Sequence, residues 1–217
     1  MIKIAVIDYG IGNTKSICSA IENCGAQASL THSKDEIMLS DGVILPGVGA
    51  FAHGMEKLVT QRIDHLIKQF IDTGKPLLGI CLGMQMLFEK STEFGETAGL
   101  GVIPGEVLRL VSCDAMPEKL PHVSWNEIQT PDTSIWDRTI LDGIESGEDM
   151  YFVHSYYAKP ANEENILSVT EYSGVEFCST VKYENVYGCQ YHPEKSAYVG
   201  LKVIKNFIEI CRGKYVK

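Results

Sequence analysis

Across its first 80 residues the chain repeatedly returns to a short apolar, β-rich run, each closed by a loop and followed by helix-forming sequence. Ile2–Ile7 is continuous and β-rich, and is followed by Gly10 and Gly12. A helix is expected near Thr14–Asn23, with Gly25 placed to end it. Ala26–Leu30 reads as a second strand, and Ser33 can cap the short helix after it. Gly42–Leu45 is a third strand, ending in Pro46-Gly47-Val48-Gly49. Helical sequence then spans Met55–Thr73 with Gly74 as a stop, and a fourth strand leads to Cys81. Strands alternating with helices require parallel pairing, because each crossover returns the chain to the same sheet end, and the helices then cover both faces.

The second half is different. Val107–Leu110, Met150–Ala158, Ile166–Tyr172, Val175–Tyr183 and Val186–Tyr191 are strand-like, and the last three follow one another through tight polar turns such as Ser173-Gly174 and Glu184-Asn185. They are expected to add antiparallel strands to one side or end of the sheet. A helix from about Ala197 to Cys211, with Ser196 as N-cap, carries Val199, Val203, Phe207 and Ile210 in one stripe. Leu201, Ile204 and Ile208 widen that stripe, so the helix should lie against the sheet. Val111–Lys119 reads as a loop. The expected architecture is a single α/β domain over residues 1–217, with a mixed, largely parallel central sheet, helices on both faces and added antiparallel strands.

Composition narrows the function. A formal net charge of −9 with no Lys/Arg-rich run argues against nucleic acid as a partner. No apolar run approaches the roughly 20 residues of a membrane span, and the N-terminus is charged too early for a signal peptide. Seven scattered cysteines with no C-x-x-C pair read as reduced thiols, which implies a cytoplasmic protein. No His/Cys cluster has zinc-ligand spacing, so neither metal nor cofactor is expected.

The chemistry is concentrated at Gly79-Ile80-Cys81-Leu82-Gly83, where a strand runs directly into a helix-forming segment, Met84 to Lys90. A side chain at the tip of such an elbow is pushed out of the sheet edge, and flanking glycines remove the Cβ atoms that would clash there. The N-terminus of a helix favours the thiolate, the nucleophilic form. A thiol attacking a carbonyl also needs a proton acceptor. Of six histidines, His32, His53 and His65 sit in polar or helical settings and read as surface residues. His192 follows a strand and precedes Pro193-Glu194. An extended tripeptide would point His192 and Glu194 to one side, about 6–7 Å apart at Cα, within reach of an orienting hydrogen bond.

Negative charge on the attacked carbonyl oxygen needs donors. The Leu82 amide is adjacent to the nucleophile, and the Pro46–Gly49 loop can bring amides of Val48 or Gly49 beside it. Gly47-Val48-Gly49-Ala50-Phe51-Ala52 also fits G-x-G-x-x-A after a strand. A dinucleotide fingerprint would need an acidic residue closing the next strand, and Asp72 falls in helical sequence instead.

These segments, in this order, resemble the class I (triad) glutamine amidotransferases: Gly79-Ile80-Cys81-Leu82-Gly83-Met84-Gln85 and His192-Pro193-Glu194-Lys195-Ser196. Pro46-Gly47-Val48-Gly49-Ala50-Phe51, Pro121-His122-Val123-Ser124-Trp125-Asn126, Tyr151-Phe152-Val153-His154-Ser155-Tyr156-Tyr157 and Asp8-Tyr9-Gly10-Ile11-Gly12-Asn13 resemble the branch that serves as glutaminase of imidazole glycerol phosphate synthase. The resemblance implies that Cys81 is the nucleophile, His192 the base and acid, and Glu194 the orienting group. Val48 and Leu82 would supply oxyanion amides, while Gly49, Gln85, Glu93, His154, Ser155 and Tyr156 would hold glutamine. It further implies a separate cyclase of (β/α)8-barrel type as heterodimer partner, met by Tyr9, Asn13, Trp125, Tyr151 and Lys195. Such a barrel needs about 250 residues, more than this chain has to spare. Ser124 departs from the family's usual P-H-x-G-W-N, on the docking side. A paralogous glutaminase supplying a surface-sugar-modifying amidotransferase, and a non-catalytic regulatory subunit, are the alternatives. A cysteine hydrolase or chaperone-like protein of related architecture often has histidine directly after the cysteine, where this chain has Leu82.

Overall fold

A computed structural model describes residues 1–111, 120–131 and 136–214. Most of the loop expected at Val111–Lys119 lies outside these residues.

The βα units form as their sequence patterns require. Strand β1 (Lys3–Ile7) leads to helix α1 (Thr14–Asn23), β2 (Gln27–Thr31), α2 (Lys34–Leu39) and β3 (Gly42–Leu45). The helical stretch after β3 starts earlier than expected and breaks into α3 (Phe51–Thr60) and α4 (Ile63–Ile71), with Arg62 at φ 59° between them. Strand β4 (Leu77–Ile80) follows. Alternate residues of these strands face two separate cores. Ile4, Val6, Ile44, Leu78 and Ile80 face one, and Ala5, Ile7, Val43, Leu45 and Leu77 face the other. On the first side, α1 and the C-terminal helix α6 (Ala197–Cys211) pack with Ile17, Ile21, Val203, Ile204 and Phe207. On the second, α3 and α4 pack with Met55, Leu58, Ile67 and Phe70. Each large aliphatic side chain so buried contributes about 1.5–3 kcal/mol, which fixes the register and with it the sheet end where the loops emerge.

The expected helix over Met84–Lys90 is corrected. Helix α5 spans only Leu82–Met86, and the chain turns at once into β5 (Phe88–Ser91). Phe88 and Ser91 are buried and Glu89 is exposed, so this segment gains more from pairing in a sheet than from continuing a helix. It joins β6 (Thr97–Ala98), β7 (Ile103–Arg109) and β10 (Tyr156–Pro160) in a second, four-stranded sheet ordered β10-β7-β5-β6. The expected strand Met150–Ala158 is likewise two elements, β9 (Glu148–His154) and β10, with Ser155 between. β9 pairs antiparallel with β8 (His122–Ile128).

Strands β11 (Ile166–Tyr172) and β12 (Val175–Tyr183) have the bounds expected of them, while β13 (Val186–Cys189) ends two residues early. They complete a seven-stranded sheet ordered β11-β12-β13-β4-β3-β1-β2. In it β1, β2, β3, β4 and β13 are parallel, and β12 and β11 add the antiparallel edge. Ser196 precedes α6, but its hydroxyl makes no cap bond. It donates to the His192 carbonyl at 2.7 Å and accepts from the Tyr151 amide at 2.9 Å. No helix among the described residues is long and apolar enough to cross a membrane.

Candidate active site

Three neighbouring parallel strands, β3, β4 and β13, end at the same sheet edge, with Leu45 and Gly188 both in register with Gly79. Whatever follows them in sequence is therefore brought together: the Pro46–Gly49 loop after β3, Cys81 after β4, and Gln190-Tyr191-His192 after β13. This is the end of an open α/β sheet where ligands bind.

Cys81 sits at φ 54° and ψ −111°, a strained conformation for a residue with a Cβ. The turn is possible because of its neighbours. A Cβ on Gly83 would run into the Leu45 carbonyl, and one on Gly79 would lie 2.7 Å from the Met84 amide. The Cys81 amide donates to the Cys189 carbonyl at 2.8 Å, tying the elbow to β13. Its thiol is nearly enclosed, 3.7 Å from Gln190 Nε2. Helix α5 has five residues, too short for its dipole to dominate the site; Leu82, as its first residue, has an amide with no partner inside the helix.

His192 and Glu194 do not form the extended tripeptide expected. Pro193–Lys195 is a 3-10 turn, with the Lys195 amide donating to the His192 carbonyl at 3.0 Å. Proline's fixed φ suits the first position of such a turn as well as an extended segment. The turn brings the Glu194 carboxylate, fully buried, to 2.9 Å from His192 Nδ1. A carboxylate accepts, so Nδ1 carries the proton and Nε2 is left without a hydrogen-bond partner among the described residues. Burial disfavours the charged ring, but the Cys81 side chain and then Glu194 outweigh it and raise the His192 pKa to about 10. The surroundings of the imidazole therefore favour its charged form.

A cavity of about 300 Å³ opens beside the thiol, lined by Val48, Gly49, Cys81, Leu82, Gln85, Glu93, Pro121, Val153, His154, Ser155 and Tyr156. Every residue expected to hold substrate lies on its wall, with both expected oxyanion residues. Gly49 adopts φ 95°, a backbone state that glycine reaches without strain. Gln85 donates to the Tyr156 carbonyl at 2.7 Å and to Gln190 Oε1 at 3.0 Å. Glu93 accepts from the Phe51 amide at 2.6 Å, which anchors its carboxylate at the start of α3. Among the described residues no group of three His, Cys, Asp or Glu side chains is placed to hold a metal ion.

The expected docking residues divide. Trp125 is half exposed, its ring 6.0 Å from that of Tyr151, and the Lys195 ammonium lies 5.6 Å over the Tyr151 ring. Tyr9 is not on the surface. Its ring is buried and its hydroxyl donates to the Pro46 carbonyl at 2.7 Å, so it props the loop that follows β3. Burial is also what raises its pKa well above the usual phenol value. Asn13, half-buried, turns inward and donates to Glu194 Oε1 at 3.4 Å. His32, His53 and His65 are exposed, as expected.

Gln190 lies at the site, and the sequence patterns do not single it out. Gln190 is fully buried between Gln85 and the thiol. The available signal is a lone amide inside the apolar run Tyr187-Gly188-Cys189-Gln190-Tyr191, since a buried amide must find partners.

The profile of the family Glutamine amidotransferase class-I matches residues 5–211. The chain is 46% identical over 213 residues to imidazole glycerol phosphate synthase subunit HisH 1 of Legionella pneumophila (strain Lens), covering 97% of this chain and 100% of the relative. It is 45% identical over 209 residues to the HisH subunit of Moorella thermoacetica, covering 96% and 95%. Among solved structures, a putative GMP synthase subunit from Thermoplasma acidophilum superposes with a TM-score of 0.71 at 20% identity, covering 99% of this chain and 96% of that one. PurLQS from Thermotoga maritima superposes at 0.67 and 21%, covering 100% and 99%; at such identities these two speak for the fold alone. The family profile over residues 5–211 and the near full-length identity to HisH subunits give the assignment: the chain belongs to the class I glutamine amidotransferases.

Proposed function

We propose that this chain is the glutaminase subunit of an imidazole glycerol phosphate synthase, and that it works in histidine biosynthesis as a single domain. The observation that carries this is the convergence of Cys81, a Glu194-oriented His192 and the glutamine-sized cavity at one sheet edge, in a HisH-like sequence. His192 takes the Cys81 proton, and the sulfur attacks the side-chain amide carbon of glutamine. The oxygen that becomes negative is held by the amides of Leu82 and Val48, each well-aimed donor being worth about 3–4 kcal/mol in the transition state. His192 then delivers its proton to the departing nitrogen, which leaves as ammonia, and a glutamyl thioester remains on Cys81. Water, losing a proton to His192, attacks the thioester through the same oxyanion, and glutamate leaves as the thiol is restored. The Glu93 carboxylate suits the substrate ammonium, while the cavity's neutral donors suit its carboxylate.

Ammonia at neutral pH is mostly protonated and no longer nucleophilic, so it passes directly to a separate cyclase of (β/α)8-barrel type. That partner forms imidazole glycerol phosphate and aminoimidazole carboxamide ribotide. Trp125, Tyr151 and Lys195 support a docking face close to the triad, the rings of Tyr151 and His192 being 6.5 Å apart. A cytoplasmic location accords with this chemistry. Cys81→Ala should abolish glutamate release while leaving the melting temperature and partner binding unchanged; normal turnover by that variant would end the proposal. The chain that co-purifies should be a barrel-sized cyclase, and a sugar-modifying amidotransferase in its place would point to the surface-sugar paralog instead.

A further inference from the structure

Strands β8 and β9 place His122 directly opposite His154, and both imidazoles are buried. A line of three contacts runs through them. Ser124 Oγ lies 2.9 Å from His122 Nε2, His122 Nδ1 lies 3.1 Å from His154 Nε2, and His154 Nδ1 lies 3.0 Å from the Tyr156 carbonyl oxygen. A carbonyl only accepts, so His154 carries its proton on Nδ1. Burial, with His122 alongside, lowers the His154 pKa to about 3, so the ring is neutral and its Nε2 accepts. His122 must then donate from Nδ1. In its neutral form it turns a bare Nε2 toward the Ser124 hydroxyl, which can donate. The His122 ring stacks with Tyr172, 3.8 Å away at 23°, and with Phe152, 5.1 Å away at 16°, which holds its plane.

The far end of this line is the substrate cavity. The Tyr156 carbonyl that receives the His154 proton also receives Gln85 Nε2, and Gln85 contacts Gln190, which reaches the thiol. His154, Tyr156 and Gln85 all line the cavity. We propose that Ser124 is a positioning residue for the glutamine site: its hydroxyl, donated to His122 Nε2, pairs the nitrogen that the Tyr156 carbonyl leaves bare at the end of the line and so keeps His122 neutral rather than imidazolium. Through the shared Tyr156 carbonyl it holds the cavity wall and Gln85 in the arrangement that receives substrate. This inference rests on the cavity being the glutamine site. Ser124 touches neither substrate nor nucleophile and acts only through the two rings.

The test is a two-bond ¹H–¹⁵N spectrum of the ¹⁵N-histidine-labelled protein, with glutamine kinetics measured on the same chain bound to its partner. The unliganded parent should show His122 and His154 as Nδ1–H tautomers. Ser124→Ala should turn His122 into a mixture of ring states and raise the KM for glutamine about five-fold, the worth of one neutral hydrogen bond, with kcat within two-fold of the parent. Ser124→Thr, which keeps the hydroxyl, should restore both. An imidazolium or an Nε2–H tautomer at either ring of the parent overturns the proposal, as does a Ser124→Ala protein with parental ring signals and parental KM. The parent spectrum decides proton placement even where a variant does not fold. It needs no substrate, so absence of glutaminase activity in the parent counts against the glutamine assignment and a wrong tautomer against the relay.

Discussion

Replacing Glu194 by glutamine isolates the electrostatic part of the triad. The substitution keeps the side chain's shape and an oxygen able to accept from His192 Nδ1, but removes the buried charge 2.9 Å from the ring. Burial alone would push the imidazole below its ordinary value of 6.5; Cys81 and Glu194 instead raise it to about 10. Loss of the carboxylate replaces a charge-assisted hydrogen bond to the ring by a neutral one and should forfeit about 2.5 kcal/mol, within the range for hydrogen bonds to charged groups. The imidazolium is the species present at each tetrahedral intermediate, so kcat for glutamate release should fall roughly 70-fold. KM should change by less than about two-fold, because Glu194 does not line the cavity and the lost interaction belongs to the transition state. The assay is glutamate formation by the complex across pH 6 to 10. The limb governed by His192 should also move toward neutral pH in the variant. A Glu194→Gln enzyme within three-fold of the parent kcat, with an unmoved pH profile, would refute this account of His192.

Two further outcomes follow from the geometry. Gly83→Ala drives a Cβ against the Leu45 carbonyl, so the elbow must shift; we expect about 3 kcal/mol less stability to urea and a loss of turnover, and parental values for both would contradict the packing described. His154 has a folded pKa of about 3, below its ordinary 6.5, so the unfolded chain binds the extra proton between these values. Its contribution should reduce stability as pH falls through that window, by about 1.4 kcal/mol per pH unit. His154→Asn, which keeps a donor for the Tyr156 carbonyl, should flatten the slope, and an unchanged slope would refute the assignment.

Much of the scaffold is legible in the sequence because its signals are local. The βα repeats, the β11–β12 hairpin and α6 each carry periodicity and stop residues within their own span, and several bounds agree to the residue. The family pattern locates on the cavity wall every residue expected to hold substrate. What escapes a sequence reading depends on long-range pairing. Phe88–Lys90 looks helical until β7 is beside it, and Tyr9 is expected on the docking side until Pro46, 37 residues away, accepts its hydroxyl. The Pro193 turn is ambiguous because proline fits both an extended segment and the start of a 3-10 turn. The His122–His154 pair depends on strands β8 and β9, whose register no local pattern encodes.

Glutamine hydrolysis by this triad requires residue 81 to be acylated during turnover. Rapid mixing of the partnered protein with glutamine, acid quenching and peptide mass mapping should find a glutamyl thioester on Cys81 and on no other cysteine. Steady glutamate release from protein whose Cys81 has been alkylated, or an adduct elsewhere in the chain, would contradict the mechanism.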